Sequence, residues 1–468
     1  MGAAPRRLLL VSYLYVPSVL IGAQRWLHMS RAALERGWTI DVLMMDPSSE
    51  QAVNMSLLEE LPPGVRLFGI KQRNSALRRL FLALARKTSR FRGWVRAAPP
   101  GSATQGSESS RENERSAGTF RSRLLELPRA MNAWLFFSTC NDWIKRATAV
   151  GHTLHQQEPY DLILSSGPPH MAHVAARNIG KATSVPFIVD MRDAIALPEV
   201  EPPDARSWVW REFSNTWESG CVDDATRIIA NTEELQAALQ DRYPSAKDRL
   251  FTIMNGADPD LRILSKRSET FVIAHTGSIY VGRDPRSLFL ALGRFVERRG
   301  LNPAEIRLHL MGETTFEGVL LEKLAEEAGV APYVVVEPTR PRAAALELLA
   351  RAAVLVILPQ SVPYAIPAKV FEYAQAPAWL LVLAEPGSSL QRLLQNSAAS
   401  VLAPSNVEAI SQVLEVRFDA FRRGERPLPL NIDGRFDRIH QTRKLMDVLD
   451  QLIPPARPSP APPDMATK

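Results

Sequence analysis

The sequence predicts an α/β fold of two doubly wound, Rossmann-like domains facing each other across a cleft. Three observations predict it. Apolar runs of about five residues alternate with longer stretches of helical spacing, the pattern of parallel strands covered on both faces. The alternation runs once from Arg6 to about Asp258 and restarts at Phe271. Between the two sets, MNGADPDLRILSKRSET carries a turn signal and charged clusters, which mark a join.

Taken in order, RRLLLVSY is a strand, followed by a loop and a helix around Ala23–Glu35. WTIDVLMM and VRLFGI are the next strands. From Lys71 to Arg96 the chain has nine Lys/Arg and no acid. Leu77, Leu80, Phe81, Leu84, Phe91, Trp94 and Val95 there follow helical spacing, so a basic amphipathic helix is expected, suited either to an anionic lipid interface or to packing on its own domain. Residues 97–118 are small, polar and aperiodic and read as a disordered loop. YDLILSS, FIVDMRD, RIIANT and LFTIMNGAD complete the first set of strands. FVIAHTGSI, IRLHLMG, VVVEP, AVLVILP, WLLVLA and ASVLAP form the second. The expected domains are therefore 1–258 and 259–435. A C-terminal helix at 436–453 is expected to return to the first domain, and 454–468 is a proline-rich, disordered tail.

Bulk properties exclude several classes. No apolar run approaches the ~20 residues of a membrane span. The short apolar run after MGAAPRR reads as a first strand rather than a signal peptide. Cys140 and Cys221 match no disulfide framework or metal spacing and read as thiols in a reducing cytoplasm. The net charge of +6 favours an anionic partner, yet no nucleic-acid-binding motif is present.

Ligands of doubly wound domains sit beyond the carboxyl ends of the strands, and that rule selects the candidate residues. The loop after the first strand lacks GxGxxG and GxxxxGK[ST] and offers Gly22 alone. Later strand ends offer His170, then Arg192 and Asp193, then Gly277, Ser278 and Arg283, then the helix in IPAKVFEYAQAP, then Gly387, Ser388 and Ser389. Lys369 and Glu372 lie three residues apart on one helical face. Helix starts are expected at Pro367 and Gly387, where free N–H groups suit a phosphate. Lys369 and Arg283 add charge, and a carboxylate at Glu372 suits two ribose hydroxyls. The plainer alternative is a local Lys369–Glu372 ion pair on an exposed helix. Asp193 could cap a helix or pair with Arg192, His170 could cap the next helix, and Arg283 could be an exposed turn charge. Asp190 is expected to be a buried partner of the backbone, and Tyr373 a packing residue.

On these residues the chain resembles the GT-B glycosyltransferases, in particular their family 4-like group. IPAKVFEYAQAP is similar to that group's I-P-x-K-x-F-E-Y segment. FVIAHTGSIY resembles the first strand of its C-terminal domain. YDLILSSGPPHMAH, VPFIVDMRDA and ANTEELQAALQDRYPSAKDRLFTIMNGAD resemble parts of its N-terminal domain. The resemblance implies a nucleotide-sugar donor, commonly a UDP-sugar, on the C-terminal domain. Glu372 would hold the ribose. Lys369, Arg283 and amides near Gly277–Ser278 and Gly387–Ser389 would hold the diphosphate. A glycan, lipid-linked or small-molecule acceptor would lie near Gly22, His170, Arg192 and Asp193. It further implies a retaining, metal-independent reaction without cofactor, in polysaccharide or cell-envelope synthesis. The enzyme would be cytoplasmic and could be peripheral on the inner face of the membrane. The sequence departs from the group at Tyr364, where an earlier glutamate is usual, at Ser278, where an arginine is usual, and at Ala376–Pro377, where a glycine is usual. A sugar-nucleotide epimerase and a catalytically degenerate scaffold protein share the architecture and are the competing expectations.

Overall fold

The structure is a computed structural model and describes residues 5–19, 21–49, 53–73, 120–196, 207–266, 268–279, 282–358 and 363–453. The expected basic helix beyond residue 73, the loop at 97–118 and the tail at 454–468 lie outside the described residues.

The first half contains β1 (Arg6–Ser12), α1 (Ile21–Glu35), β2 (Trp38–Met45), β3 (Val65–Ile70), α2 (Phe120–Gln157), β4 (Leu162–Gly167), α3 (Met171–Thr183), β5 (Phe187–Met191), α4 (Trp208–Asp224), β6 (Arg227–Ala230), α5 (Glu233–Arg242) and β7 (Leu250–Thr252). These strands form one parallel sheet in the order β3-β2-β1-β4-β5-β6-β7. The second half contains β8 (Phe271–Gly277), α6 (Arg286–Arg299), β9 (Ile306–Gly312), a hairpin of β10 (Thr315–Phe316) and β11 (Val319–Leu320), α7 (Leu321–Glu327), β12 (Val334–Pro338), α8 (Arg342–Arg351), β13 (Val354–Ile357), α9 (Lys369–Tyr373), β14 (Trp379–Leu383), α10 (Ser389–Leu394), β15 (Ser400–Leu402), α11 (Val407–Arg422) and α12 (Arg438–Leu452). Its parallel sheet has the order β12-β9-β8-β13-β14-β15. Both sheets reverse direction beside their first strand, which opens a crevice at the carboxyl ends of β1 and β8.

Period-2 alternation sends each strand's side chains to two separate cores. Leu9, Val11, Ile163 and Val189 face α2, α3 and α4, whereas Leu8, Leu10, Leu164 and Ile188 face α1. In the second sheet, Ile273, Val354 and Val356 face α6 and α11, whereas Ala274, Leu355 and Ile357 face α8, α9 and α10. Burial on both faces explains why the strands read as near-continuous apolar runs. Both cysteines are free and buried.

The C-terminal helix α12 packs on the first sheet rather than the second. Leu445, Met446 and Leu449 join the α1-side core, and Arg6 pairs with Asp450 at 2.6 Å. The chain therefore crosses between the lobes twice, and the crossings run side by side. Ala257 donates its amide to Phe436 at 2.6 Å and accepts from Arg438 at 2.9 Å. Between them a Cβ on Gly256 would lie 2.5 Å from the Arg438 Cα, so only glycine fits.

Several expected boundaries shift. FIVDMRD ends as a strand at Met191 and LFTIMNGAD at Thr252, because the following residues turn into the crevice or the crossing. The helices expected from Pro367 and Gly387 begin at Lys369 and Ser389. Pro367 holds Ile366 away from helical geometry. Its carbonyl accepts from the Val370 amide at 3.0 Å in an opening turn tighter than an α-helix.

Candidate functional site

The crevice side of the first lobe is built around Asp190, which has no solvent exposure. Arg25 reaches it with Nε and a terminal nitrogen, each at 3.1 Å. Trp26 Nε1 donates at 3.0 Å and Ser166 Oγ at 2.9 Å. The expected backbone role of Asp190 is thus corrected: its partners are side chains. Arg25 also donates to the carbonyls of Ile253 and Met254 and to Asn255 Oδ1. It ties α1 to the first interlobe crossing.

Arg192, one residue past β5, is half-buried. Its Nε donates to the Gly167 carbonyl at 3.1 Å and a terminal nitrogen to that of Pro168 at 2.5 Å. The alternative of an Arg192–Asp193 pair is replaced by these carbonyls, and Asp193 is left exposed. Just beyond, the fully buried Glu218 accepts from the Ile195 and Ala196 amides, each at 2.8 Å, and fixes the loop. Gly22 lies in the first turn of α1, and a Cβ there would meet the Arg192 guanidinium at 2.8 Å. His170 occupies the N-cap position of α3 but makes no side-chain cap bond. Its ring lies 5.6 Å from that of His173. His170 keeps part of its surface open, yet the protein encloses it closely enough that burial first, then His173 and Arg192, push its pKa well below the usual histidine range. His173 is fully buried with Nδ1 2.8 Å from Ser165 Oγ, and burial holds its pKa down at about 3. Gly22, His170 and Arg192 therefore gather around one loop, Gly167–His170.

On the second lobe the residues converge on Gly277, at the end of β8. Gly277 has φ +109°, and a Cβ there would lie 2.8 Å from Lys369 Nζ. Lys369 donates to the Thr276 carbonyl at 2.8 Å and lies 3.3 Å from His275 Nε2. It makes no ion pair among the described residues. Arg283 is half-buried rather than a free turn charge, and it donates to the Ser278 carbonyl at 3.0 Å. Burial, followed by the Arg283 charge, pushes Lys369 well below the usual lysine range, while Glu372 opposes that shift. Glu372 does not pair with Lys369. It meets Arg342, at the start of α8, at 3.0 Å. Tyr373 is buried, and its hydroxyl accepts from the Thr276 amide at 2.7 Å.

The Gly387–Ser389 turn corrects a further expectation. Its amides are already bonded: Gly387 to Gln391 Oε1 at 2.7 Å, Ser388 to the Glu385 carbonyl at 3.2 Å and Ser389 to the Pro363 carbonyl at 2.7 Å. The turn instead joins the lobes. Ser389 Oγ donates to Glu234 on α5, and Arg392 pairs with Glu234 at 2.6 Å. Beside it, Thr232 Oγ1 donates to the Tyr364 carbonyl at 2.8 Å, and the Tyr364 ring packs against the first lobe's core.

Sequence reasoning missed Arg25, His173, Glu218, Glu234, His275 and Arg342. Arg25 and His173 were within reach, each one turn along the helix from a candidate already chosen. Arg342 follows a strand end outside the residues singled out, and neither Glu218 nor Glu234 carries any local signal.

The sequence model of the glycosyl transferase 4-like domain matches residues 22–256, half of the chain. The chain belongs to that family. Among curated relatives of this chain is the D-inositol 3-phosphate glycosyltransferase of Thermobifida fusca, 29% identical over 159 residues. That match covers 30% of this chain and spans about a third (36%) of the relative. Solved structures share the two-domain GT-B fold across nearly the whole chain. Sucrose-phosphate synthase of Thermosynechococcus elongatus superposes with a TM-score of 0.61 at 12% identity, covering 96% of this chain and 99% of that one. Anabaena HepE in complex with UDP and glucose gives 0.59 at 13%, covering 96% and 100%. A glycosyltransferase from Rickettsia africae gives 0.59 at 10%, covering 97% and 100%. Among the described residues no group of three His, Cys, Asp or Glu side chains is placed to hold a metal ion, and no helix is long and apolar enough to cross a membrane.

Proposed function

We propose that this glycosyltransferase takes a UDP-sugar as donor and transfers its sugar, with retention and without a metal, to a glycan, lipid-linked or small-molecule acceptor. One observation carries the reading: Lys369 lies against the side-chain-free Gly277 with Arg283 on the next residue's carbonyl, and among the described residues no carboxylate pairs with Lys369. Two cations facing a bare turn suit a diphosphate, whose charge would grow as the sugar departs. Glu372, on the same helix as Lys369, would hold the ribose. Its present partner Arg342 is mostly exposed and can be shared or displaced. The UDP held by the HepE structure supports the choice of nucleotide.

In the reaction so read, the bond between the sugar's anomeric carbon and the β-phosphate oxygen breaks. The acceptor oxygen bonds to that carbon, and its proton passes to the departing phosphate. The acceptor would lie at the Gly167–His170 loop. There His170 is neutral at physiological pH, and Gly22 lets the Arg192 guanidinium lie against the first turn of α1.

Glu372→Ala is expected to weaken UDP binding by about 1–3 kcal/mol, the range for a lost charged hydrogen bond. Calorimetric titration measures it, and unchanged affinity rules out the ribose role. Incubation with a panel of nucleotide sugars then separates the competing functions. Nucleotide release that requires an acceptor supports transfer, and epimer formation without one supports an epimerase. Binding without turnover supports a scaffold, a reading favoured by Tyr364, which is packed against the opposite lobe where a donor-contacting glutamate is usual.

A peripheral place on the inner membrane face, in cell-envelope polysaccharide synthesis, is part of the same proposal. It rests on the acid-free stretch 71–96. The chain is expected to pellet with anionic vesicles and to be released by salt. Equal pelleting of a chain lacking that stretch would refute the assignment.

A further inference from the structure

We propose that His275 is a positioning residue of the donor site, holding the Lys369 ammonium at the Gly277 turn. The inference rests on the reading of Lys369 as a phosphate contact. His275 stands on β8 at 1% exposure, two residues before Gly277. Its Nδ1 lies 2.8 Å from the Val356 carbonyl on β13. A carbonyl only accepts, so Nδ1 carries the proton and Nε2 keeps its lone pair. That lone pair faces Lys369 Nζ at 3.3 Å, and the Thr276 carbonyl takes a second ammonium proton at 2.8 Å. Two of the three N–H directions are thus set by β8, and the third remains for a ligand. The missing side chain at Gly277 is what lets the ammonium lie this close to the turn.

The surroundings agree. β8 presents His275 to Lys369, the loop after it presents Arg283, and α9 itself presents Glu372 and Tyr373. Burial and Arg283 work against the ammonium, and Glu372 works for it. Burial, then the Lys369 charge, keeps His275 neutral and therefore an acceptor. Sheet register makes the arrangement rigid, because β13 pairs directly with β8 and fixes the Val356 carbonyl that orients the imidazole.

The test is titration of the full chain with UDP at pH values stepped downward from the ordinary lysine range, because burial, then the Arg283 charge, pushes Lys369 well below it. Of the two forms of Lys369 only the ammonium attracts the diphosphate, so affinity is expected to fall as pH rises through the Lys369 titration, Arg283 keeping its charge throughout. Removing the Nε2 acceptor destabilises the ammonium. His275→Leu should therefore move that fall to lower pH and weaken UDP binding roughly ten-fold at the midpoint of the unsubstituted protein's fall. His275→Gln, whose side-chain oxygen can replace Nε2, should stay within about two-fold. Melting temperatures confirm that each variant folds. Should His275→Leu fail to fold, His275→Asn keeps the donor to Val356 without the acceptor to Lys369 and carries the same expectation. A folded variant whose pH midpoint stays in place overturns the inference. Lys369→Met separates the two claims: unchanged UDP affinity in that variant refutes the phosphate contact itself, whatever His275 does.

Discussion

Asp190 receives hydrogen bonds from Arg25, Trp26 and Ser166 at a position closed to solvent. A buried carboxylate and guanidinium gain little over a hydrophobic pair of the same shape, but removing one partner strands the other. Asp190→Ala is expected to destabilise the protein by about 3–5 kcal/mol. Urea unfolding measures it, and a loss below about 1 kcal/mol would show that Arg25 is held by its other acceptors alone. The same physics separates legible site residues from illegible ones. Lys369 and Glu372 stood out because charge on a short helix between apolar strands is anomalous in the sequence itself. Glu218 and Arg342 did not, because each finds its partners across more than twenty residues of chain. The Gly387–Ser389 turn misled for a related reason: its small residues predict accessible amides but cannot reveal that Pro363 and Gln391 already accept from them.

At the scale of elements, the strands were legible as apolar runs both inside the sheets and at their edges. WTIDVLMM, VRLFGI, IRLHLMG and VVVEP coincide with β2, β3, β9 and β12. The β10–β11 hairpin escaped because two-residue strands show no periodicity. Its signal was the Glu317–Gly318 pair, both at positive φ, the geometry of a tight hairpin turn. Helix α12 is amphipathic by sequence, but its docking surface is set by tertiary structure. Leu445, Met446 and Leu449 fill the face of the first sheet beside α1, each at 1% exposure or less. Leu445→Ala is expected to cost about 2–5 kcal/mol through lost burial and the cavity left behind. Thermal or urea unfolding measures it. A near-neutral result would mean that α12 rests on the lobe without contributing to its core.

For the whole molecule, the two sheets carry separate cores, and the lobes meet through a few polar contacts and the packing of the Tyr364 ring on the first lobe. On one side of the crevice, Glu234 receives Ser389 and Arg392. On the other, the paired crossings run past Arg25, where Gln441 accepts from the Met254 amide at 3.0 Å. Two domains and a cleft could be inferred from the repeated strand–helix pattern. The lateral pairing of the crossings could not, since Ala257 and Phe436 are far apart in the sequence and neither carries a local signal for the other. That pairing has a mechanical result. Two unconnected tethers would let the lobes twist as well as open, whereas strands pressed together at Gly256 resist twist and leave one easy direction of bending. A methyl group added at Gly256 would meet the Arg438 backbone at 2.5 Å, push the crossings apart and release that restraint some distance from any bond being made or broken.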